Sequence, residues 1–232
     1  MPSSTLFVES RQDKTPLEIL VSSNQTRTDQ QQAPGIIIAH PYGPLGGSMN
    51  NNVVIALQQY FKSKGYVTIC MNFRGCGKSK GRTSWTAMPE REDYMSIVDY
   101  ALNDSALPEY PRIHKLILCA SSSTYKAPCF GYSFGAMIAN TIDCASVPCA
   151  YLLISLPLGV MWALATTKAS FFKKPPHDKT LCIYGDHDQF TRSSRFKDWC
   201  HDAICIPDAD HFWMNFESLL VEQVDRWVQT LQ

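Results

Sequence analysis

The residues best suited to chemistry lie in the short segment GYSFG, residues 131–135, which places Ser133 between Gly131 and Gly135. The pattern G-x-S-x-G is typical of a tight turn from a strand into a helix, which lifts a serine hydroxyl above a sheet edge. Small neighbours are needed because such a turn forces unusual backbone dihedrals on the serine. The segment predicts a serine nucleophile, although so short a motif also arises by chance.

Two later segments supply the partners that a serine nucleophile needs. A serine hydroxyl reacts poorly at neutral pH unless an imidazole accepts its proton and a carboxylate orients that imidazole. The segment GDHDQF offers Asp186 and Asp188, and DADHF offers His211, each directly after a predicted strand. Residue type alone does not separate the two aspartates, and one of them is expected to cap a helix. Structural or solvated roles are expected for His40, His114, His177, His187 and His201.

Two backbone N–H groups are predicted to stabilise negative charge on a reacting carbonyl oxygen. The helix after Ser133 begins with Phe134, so the Phe134 N–H lies where such charge develops. The loop AHPYGPLGGSMNN, residues 39–51, follows another strand and is rich in glycine, which allows a close approach of its backbone. Tyr42 comes directly after the His-Pro turn, and we expect its N–H to be the second donor.

The elements that must position these residues alternate between strand and helix. Alternation of this kind predicts a mostly parallel sheet with helices on both faces. Only about 25 residues separate the last two long strands, which leaves no room for a cap domain, so we expect one α/β domain of residues 1–232. The first two strands are expected to pair antiparallel, and residues 22–35 to form a hairpin-like connection.

The predicted elements have the following bounds. Strands are predicted at 5–10, 17–23, 35–40, 66–73, 150–155, 180–185 and 203–207, and helices at 51–65, 90–102, 133–145, 193–202 and 212–231.

The balance of charge excludes several classes of partner. Lys plus Arg and Asp plus Glu number 21 each, so no basic field favours a nucleic acid or an anionic membrane. The first ten residues lack the basic and apolar regions of a signal peptide, which predicts a cytoplasmic location. The apolar stretch 150–167 contains Pro157 and Gly159 centrally, and a buried strand followed by a turn explains it better than a membrane span.

Little in the sequence supports a metal site or a nucleotide-binding site. The chain has nine cysteines, mostly within apolar runs and without a C-x-x-C pair, which predicts reduced core residues rather than zinc ligands. The segment NFRGCGKS, residues 72–79, resembles a phosphate-binding loop, but Asn72 replaces its first glycine. A polar stretch follows Ser79 where that loop needs a helix. A nucleotide hydrolase is therefore a weak alternative, and we expect no metal or organic cofactor.

Taken together, the motifs resemble the compact, capless branch of the α/β-hydrolase superfamily. The resemblance runs from about Gly35 to the C-terminus through HPYGPLGGSMNN, NFRGCGKS, GYSFGA, GDHDQF and DADHFW, and the order Ser, Asp, His is that of α/β-hydrolases. It implies Ser133 as nucleophile, Asp188 rather than Asp186 as the acid, and His211 as general base. It also implies that Asn72 and Arg74 hold loops.

One departure from this pattern lies before the serine. The family runs its strand directly into G-x-S-x-G, whereas about eleven residues, Ala120–Phe130, separate LILC from GYSFGA here. Either LILCA, residues 116–120, keeps its place and the strand resumes at Cys129, or PCFGY, residues 128–132, replaces it. Pro128 argues against a long second strand, because proline removes a ladder hydrogen bond. The sequence does not distinguish a genuine elaboration from an error in defining the coding sequence.

These observations predict a serine hydrolase that cleaves a carboxylic ester, thioester or amide through an acyl-enzyme. Its partner would be a small acyl substrate, bound without stable membrane insertion. The interrupted strand motivates an alternative, a catalytically impaired α/β-hydrolase-fold protein that binds a ligand or partner. The natural substrate, its acyl-chain size and the oligomeric state are not determined by the sequence.

Overall fold

The computed structural model describes residues 3–26, 28, 32–103, 106–115, 129–142, 150–173, 175, 179–200 and 202–230. Within these ranges one sheet of nine strands is flanked by helices. The strands are β1 (Ser3–Glu9), β2 (Pro16–Ser22), β3 (Gln32–Ala39), β4 (Val67–Met71), β5 (Arg112–Lys115), β6 (Cys129–Tyr132), β7 (Tyr151–Ile154), β8 (Thr180–Gly185) and β9 (Ile204–Ile206). The helices are α1 (Asn52–Ser63), α2 (Met88–Leu102), α3 (Phe134–Ala139), α4 (Met161–Leu164), α5 (Ala169–Phe172), α6 (Ser193–Trp199) and α7 (Glu217–Thr230), with 3-10 turns at Gly43–Leu45 and Thr166–Lys168.

The sheet has the strand order β1-β2-β4-β3-β6-β7-β8-β9, and β5 also pairs with β3. β1 and β2 are antiparallel to their neighbours, and the strands from β3 to β9 pair in parallel. The predicted fold class, a mostly parallel α/β-hydrolase sheet, is therefore confirmed. The hairpin-like connection expected at 22–35 is wrong, because β4 lies between β2 and β3. The buried strand β4 pairs antiparallel with β2 and parallel with β3.

Each face of the sheet carries its own hydrophobic core. Successive residues of a strand point to opposite faces, and β3 follows this rule: Ile37 packs into one core, while Ile36 and Ile38 pack into the other. The first core includes residues of α2 and α3, and the second includes residues of α1 and α7. Helices therefore cover both faces, as predicted.

β5 and β6 pair with successive parts of β3. Pro34 pairs with Lys115 of β5, and Ile37 pairs with Cys129 of β6, which continues the ladder and also pairs with β7. The strand under the serine therefore begins at Cys129 and is four residues long. The segments 116–128 and 143–149, with LILCA, Pro128 and the predicted end of the helix after Ser133, lie outside the described residues.

The apolar stretch follows the prediction, whereas the start of the last helix does not. The apolar stretch 150–167 forms β7, a turn and α4, as expected, and no helix in the described ranges has the length and apolar character needed to cross a bilayer. The last helix begins at Glu217 rather than at Phe212. Trp213 and Asn215 have positive φ angles of 60° and 68°, so the backbone there turns instead of forming a helix.

Candidate active site

Ser133 lies in the turn between β6 and α3, with φ 56° and ψ −112°. A positive φ is uncommon for a residue with a side chain. The turn is held because the Ser133 N–H donates to the Ile154 carbonyl at 2.8 Å and the Met137 N–H donates to the Ser133 carbonyl at 3.1 Å. At Gly135 a Cβ would lie 2.9 Å from the His40 carbonyl oxygen, so glycine is needed where α3 crosses the end of β3. The tight strand-to-helix turn is formed despite the short strand before it.

His211 contacts both Ser133 and Asp188. His211 Nε2 lies 2.8 Å from Ser133 Oγ, and His211 Nδ1 lies 2.8 Å from Asp188 Oδ2. Ser133 is 6 % exposed, His211 3 % and Asp188 8 %. Bulk water therefore competes little with these hydrogen bonds. Three segments that are far apart in the chain thus come together at the carboxyl end of the sheet, where ligand sites of parallel sheets lie.

The second oxygen of Asp188 is also engaged. Asp188 Oδ1 accepts from the N–H groups of Phe190 at 2.9 Å and Thr191 at 3.0 Å, which leaves Oδ2 to face the imidazole. The Thr191 hydroxyl in turn donates to the Leu156 carbonyl at 3.0 Å, which ties this loop to the end of β7. Asp186 is exposed, and within the described part of the chain its carboxylate accepts no hydrogen bond. The helix-capping role expected for one of the two aspartates is therefore not seen at Asp186.

The loop after β9 fixes the His211 ring. The His211 N–H donates to Gln189 Oε1 at 3.1 Å, and Phe190 packs edge-on against the imidazole at 4.4 Å between ring centroids. Behind the loop, a Cβ at Gly185 would lie 2.0 Å from the Ala209 carbonyl oxygen, so β8 and this loop pack as closely as glycine allows. The loop after β8, which carries Asp188, and the loop after β9, which carries His211, thus hold each other in place.

The two predicted oxyanion donors lie next to each other. Phe134 is the first residue of α3, and the first N–H groups of a helix have no partner within it. Tyr42 packs its ring against Phe134 at 5.2 Å, and the Tyr42 carbonyl accepts from Leu45 N–H and Gly47 N–H, both at 3.1 Å. The Tyr42 N–H donates to no backbone acceptor in the described ranges. The role of these two N–H groups as oxyanion donors stays a prediction.

His40 supports the loop that carries Tyr42, a role that residue type did not reveal. His40 Nε2 accepts from the Phe73 N–H at 3.0 Å, so the neutral ring carries its proton on Nδ1 and donates it to the Pro41 carbonyl. Complete burial lowers the pKa of His40 from 6.5 to about 4, which keeps this tautomer neutral. The signal was its place at the end of a buried strand, directly before Pro41.

The segment NFRGCGKS forms a structural turn after β4. Asn72 Oδ1 accepts from the Met49 N–H at 2.9 Å, and Asn72 Nδ2 donates to Glu18 at 2.8 Å, so the side chain joins the loop after β3 to β2. Arg74 forms a buried ion pair with Asp93 at 2.7 Å. The next helix, α2, begins only at Met88. The turn therefore does not open directly into a helix, which contradicts the phosphate-loop alternative.

A narrow cleft of about 60 Å³ opens above Ser133 and His211. Its walls are mainly apolar and include Pro41, Leu45 and Phe212, together with the backbone of Gly46 and Gly47. Leu45 and Phe212 are largely exposed at its rim. The cleft suits a small apolar group that enters from the surface and stops at the serine.

The fold and these contacts define a lidless α/β-hydrolase, and comparison with known proteins agrees. The model of the X-Pro dipeptidyl-peptidase (S15) family matches residues 19–216, so the chain belongs to this family of hydrolases. An α/β serine hydrolase without a lid from Xanthomonas campestris has 22% sequence identity and a TM-score of 0.72 over 99% of this chain and 95% of its own.

Two further proteins are similar over most of their length. Est1E from Butyrivibrio proteoclasticus, solved with ferulic acid bound, has 14% identity and a TM-score of 0.74 over 97% of this chain and 98% of its own. An uncharacterized protein of Schizosaccharomyces pombe is 26% identical over 215 residues, which cover 83% of this chain and 84% of that protein. These likenesses extend along nearly the whole chain.

Proposed function

We propose that the protein is a carboxylesterase-like serine hydrolase that forms an acyl-enzyme on Ser133. The observation that carries the proposal is the position of His211, which contacts Ser133 Oγ and Asp188 Oδ2 at 2.8 Å each. A serine with a hydrogen-bonded base, itself oriented by a carboxylate, is the arrangement that activates a hydroxyl for attack on a carbonyl carbon.

The reaction follows from these positions. Ser133 Oγ attacks the carbonyl carbon of the ester while His211 Nε2 takes the hydroxyl proton, and Asp188 stabilises the imidazolium that forms. The N–H groups of Phe134 and Tyr42 hold the oxyanion, each worth about 3 kcal/mol to the transition state. His211 then gives its proton to the leaving alcohol. Water, activated by the same histidine, attacks the acyl-enzyme and releases the acid.

The lining of the cleft favours esters over dipeptides as substrates. A dipeptidyl-peptidase must bind the charged α-amine of its substrate, for which a nearby carboxylate is the natural partner. None of the described residues that form the wall of the cleft carries a carboxylate. The apolar wall and the likeness to Est1E, which was solved with ferulic acid bound, support a small or aromatic acyl group instead.

Labelling with a fluorophosphonate probe tests the catalytic proposal directly. We expect the wild-type protein to take one label on Ser133 and the Ser133→Ala variant to take none. Hydrolysis of 4-nitrophenyl butyrate should accompany labelling, whereas glycyl-prolyl-4-nitroanilide should be cleaved far more slowly. A folded wild-type protein that takes no label would overturn the proposal and favour the binding-protein alternative. Preferential cleavage of the nitroanilide would favour a dipeptidyl-peptidase.

A further inference from the structure

A second and larger pocket adjoins the cleft above Ser133. It has a volume of about 460 Å³ and lies between the turn after β7, at Gly159 and Val160, and the residues that follow Asp188. Phe190 lines both this pocket and the cleft above Ser133. The two spaces therefore share Phe190 as a wall residue. The wall of the larger pocket is mainly polar and includes Arg192 and Arg195.

The two arginines of this pocket are unpaired among the described residues. Within the described ranges neither guanidinium group forms an ion pair or a hydrogen bond, although both border the same pocket. Like charges three residues apart at a helix start repel each other. Four other arginines are neutralised by carboxylates: Arg11, Arg74, Arg91 and Arg226. Guanidinium groups bind carboxylate and phosphate oxygens with two parallel hydrogen bonds, so such a pair suits an anion.

The position of His211 indicates which part of a substrate reaches this pocket. His211 returns a proton to the leaving oxygen, so the leaving group must lie on the histidine side of the serine. Phe190 packs against His211 at 4.4 Å, and the arginine pocket begins at the same phenylalanine. The acyl group, in contrast, occupies the apolar cleft near Leu45. A leaving alcohol that extends past Phe190 therefore meets Arg192 and Arg195.

We propose that the substrate is an ester whose alcohol portion carries a carboxylate or phosphate, and that Arg192 and Arg195 bind this anionic group. The inference rests on the proposed hydrolase activity of Ser133. One water is consumed: its oxygen joins the acyl carbon, the ester bond to the alcohol oxygen breaks, and the anionic alcohol leaves with a proton from His211. The two arginines determine specificity and take no part in the chemical steps.

Acetate esters of related phenols, with and without a negative charge, test this inference. The substrates are 3-acetoxybenzoate, 3-acetoxyphenyl phosphate and the neutral methyl ester of 3-acetoxybenzoate. For the wild-type protein we expect kcat/KM for at least one anionic ester to exceed that for the neutral ester by tenfold or more. Arg192→Gln combined with Arg195→Gln should lower kcat/KM for that anionic ester by roughly ten- to a hundredfold, the scale of one or two charge-assisted hydrogen bonds. Its kcat/KM for the neutral ester should stay within twofold.

Lys197→Gln is the matched control, because Lys197 is an exposed cation on the same helix and does not line the pocket. We expect this variant to keep the wild-type preference. The benzoate and phosphate arms show which anion is preferred. Equal kcat/KM for charged and neutral esters, or a preference that survives the double substitution, would overturn the inference while the hydrolase proposal stands.

A binding measurement separates failure of this inference from failure of the proposed activity. Ser133→Ala protein is titrated calorimetrically with 3-acetoxybenzoate, with 3-acetoxyphenyl phosphate and with the neutral methyl ester, none of which it can turn over through Ser133. We expect at least one anionic ester to bind at least tenfold more tightly than the neutral ester, and this difference to vanish when Arg192→Gln and Arg195→Gln are added. Such a result without any hydrolysis by the wild-type protein would refute the proposed hydrolase activity and support the anion site. Equal affinity for the charged and neutral esters would refute the anion site.

Discussion

Lys115 and Cys129 pair with residues only three positions apart on β3, Pro34 and Ile37. Thirteen residues, 116–128, connect them along the chain, whereas β3 has only two residues in the same interval. A single strand continuous along β3 would need eleven residues fewer than the chain supplies. This excess equals the length of Ala120–Phe130, the insertion that the motifs predicted before Ser133. The strand register and the sequence motifs are independent observations, and they agree on this length.

Removal of Ala120–Phe130 should therefore leave a folded protein with a reactive serine. The deletion joins Cys119 to Gly131 and leaves the number of residues that the ladder beside β3 requires. A shorter connection also costs less closure entropy. We expect a melting temperature no lower than that of the wild-type protein and undiminished fluorophosphonate labelling of Ser133. Deletion of all thirteen residues 116–128 leaves two positions of the ladder unfilled and should prevent folding; equal behaviour of the two deletions would refute the register argument.

Asp188→Asn should lower kcat by about a thousand- to ten-thousandfold, because an amide cannot hold the imidazole in the required tautomer or stabilise its charged form. The protein should stay folded, since the amide oxygen still accepts from Phe190 and Thr191. Asp186→Asn is the control, because Asp186 is exposed and its kcat should remain within twofold of wild type. Steady-state kinetics with 4-nitrophenyl butyrate measure both. A larger loss at Asp186 would exclude Asp188 as the acid.

The stability of the protein should depend on pH through His40. Burial lowers the pKa of His40 from 6.5 to about 4, so the unfolded chain binds a proton more readily than the folded one. The stabilisation is fully present above pH 6.5 and is lost as the pH falls towards 4, by roughly 3 kcal/mol in all. Urea unfolding at several pH values measures this slope. In His40→Gln, which does not titrate there, the unfolding free energy lost between pH 6.5 and 4 should be smaller by that amount. An equal loss in both proteins would contradict this assignment.

Two adjacent glycines of the loop after β3 should respond differently to alanine. At Gly47 a Cβ would lie 2.1 Å from the Pro41 carbonyl oxygen, so Gly47→Ala must displace the backbone that carries the Tyr42 N–H. We expect kcat to fall tenfold or more, because an oxyanion donor then misses its position. At Gly46 a Cβ meets nothing within 4 Å, but φ is +88°. Gly46→Ala should cost about 1–2 kcal/mol of stability and leave kcat nearly unchanged. Thermal unfolding and ester hydrolysis separate the two effects, and equal loss of kcat in both variants would argue against Tyr42 as a donor.

The order of strands and helices could be predicted from the sequence because it depends on local patterns. Continuous aliphatic runs predicted β3 and β4, and apolar residues at helical spacing predicted α1. The start of α7 could not be placed in this way. The residues before Glu217 include two with positive φ, a feature that apolar spacing does not reveal.

The candidate site shows the same division. The residue types and their order along the chain selected Ser133, His211 and a pair of aspartates, because that chemistry requires a nucleophile, a base and an acid at strand ends. The distances to His211, the exposure of Asp186 and the hydrogen bonds that orient His40 depend on contacts between segments far apart in the sequence. The pairing of β5 and β6 along β3 is also non-local, since a register arises only when strands meet. Residue types and their order were enough to predict Ser133, Asp188 and His211 and the class of fold. The distances between these side chains exist only in the folded chain, because β6, β7, β8 and β9 must pair before the loops after them can meet.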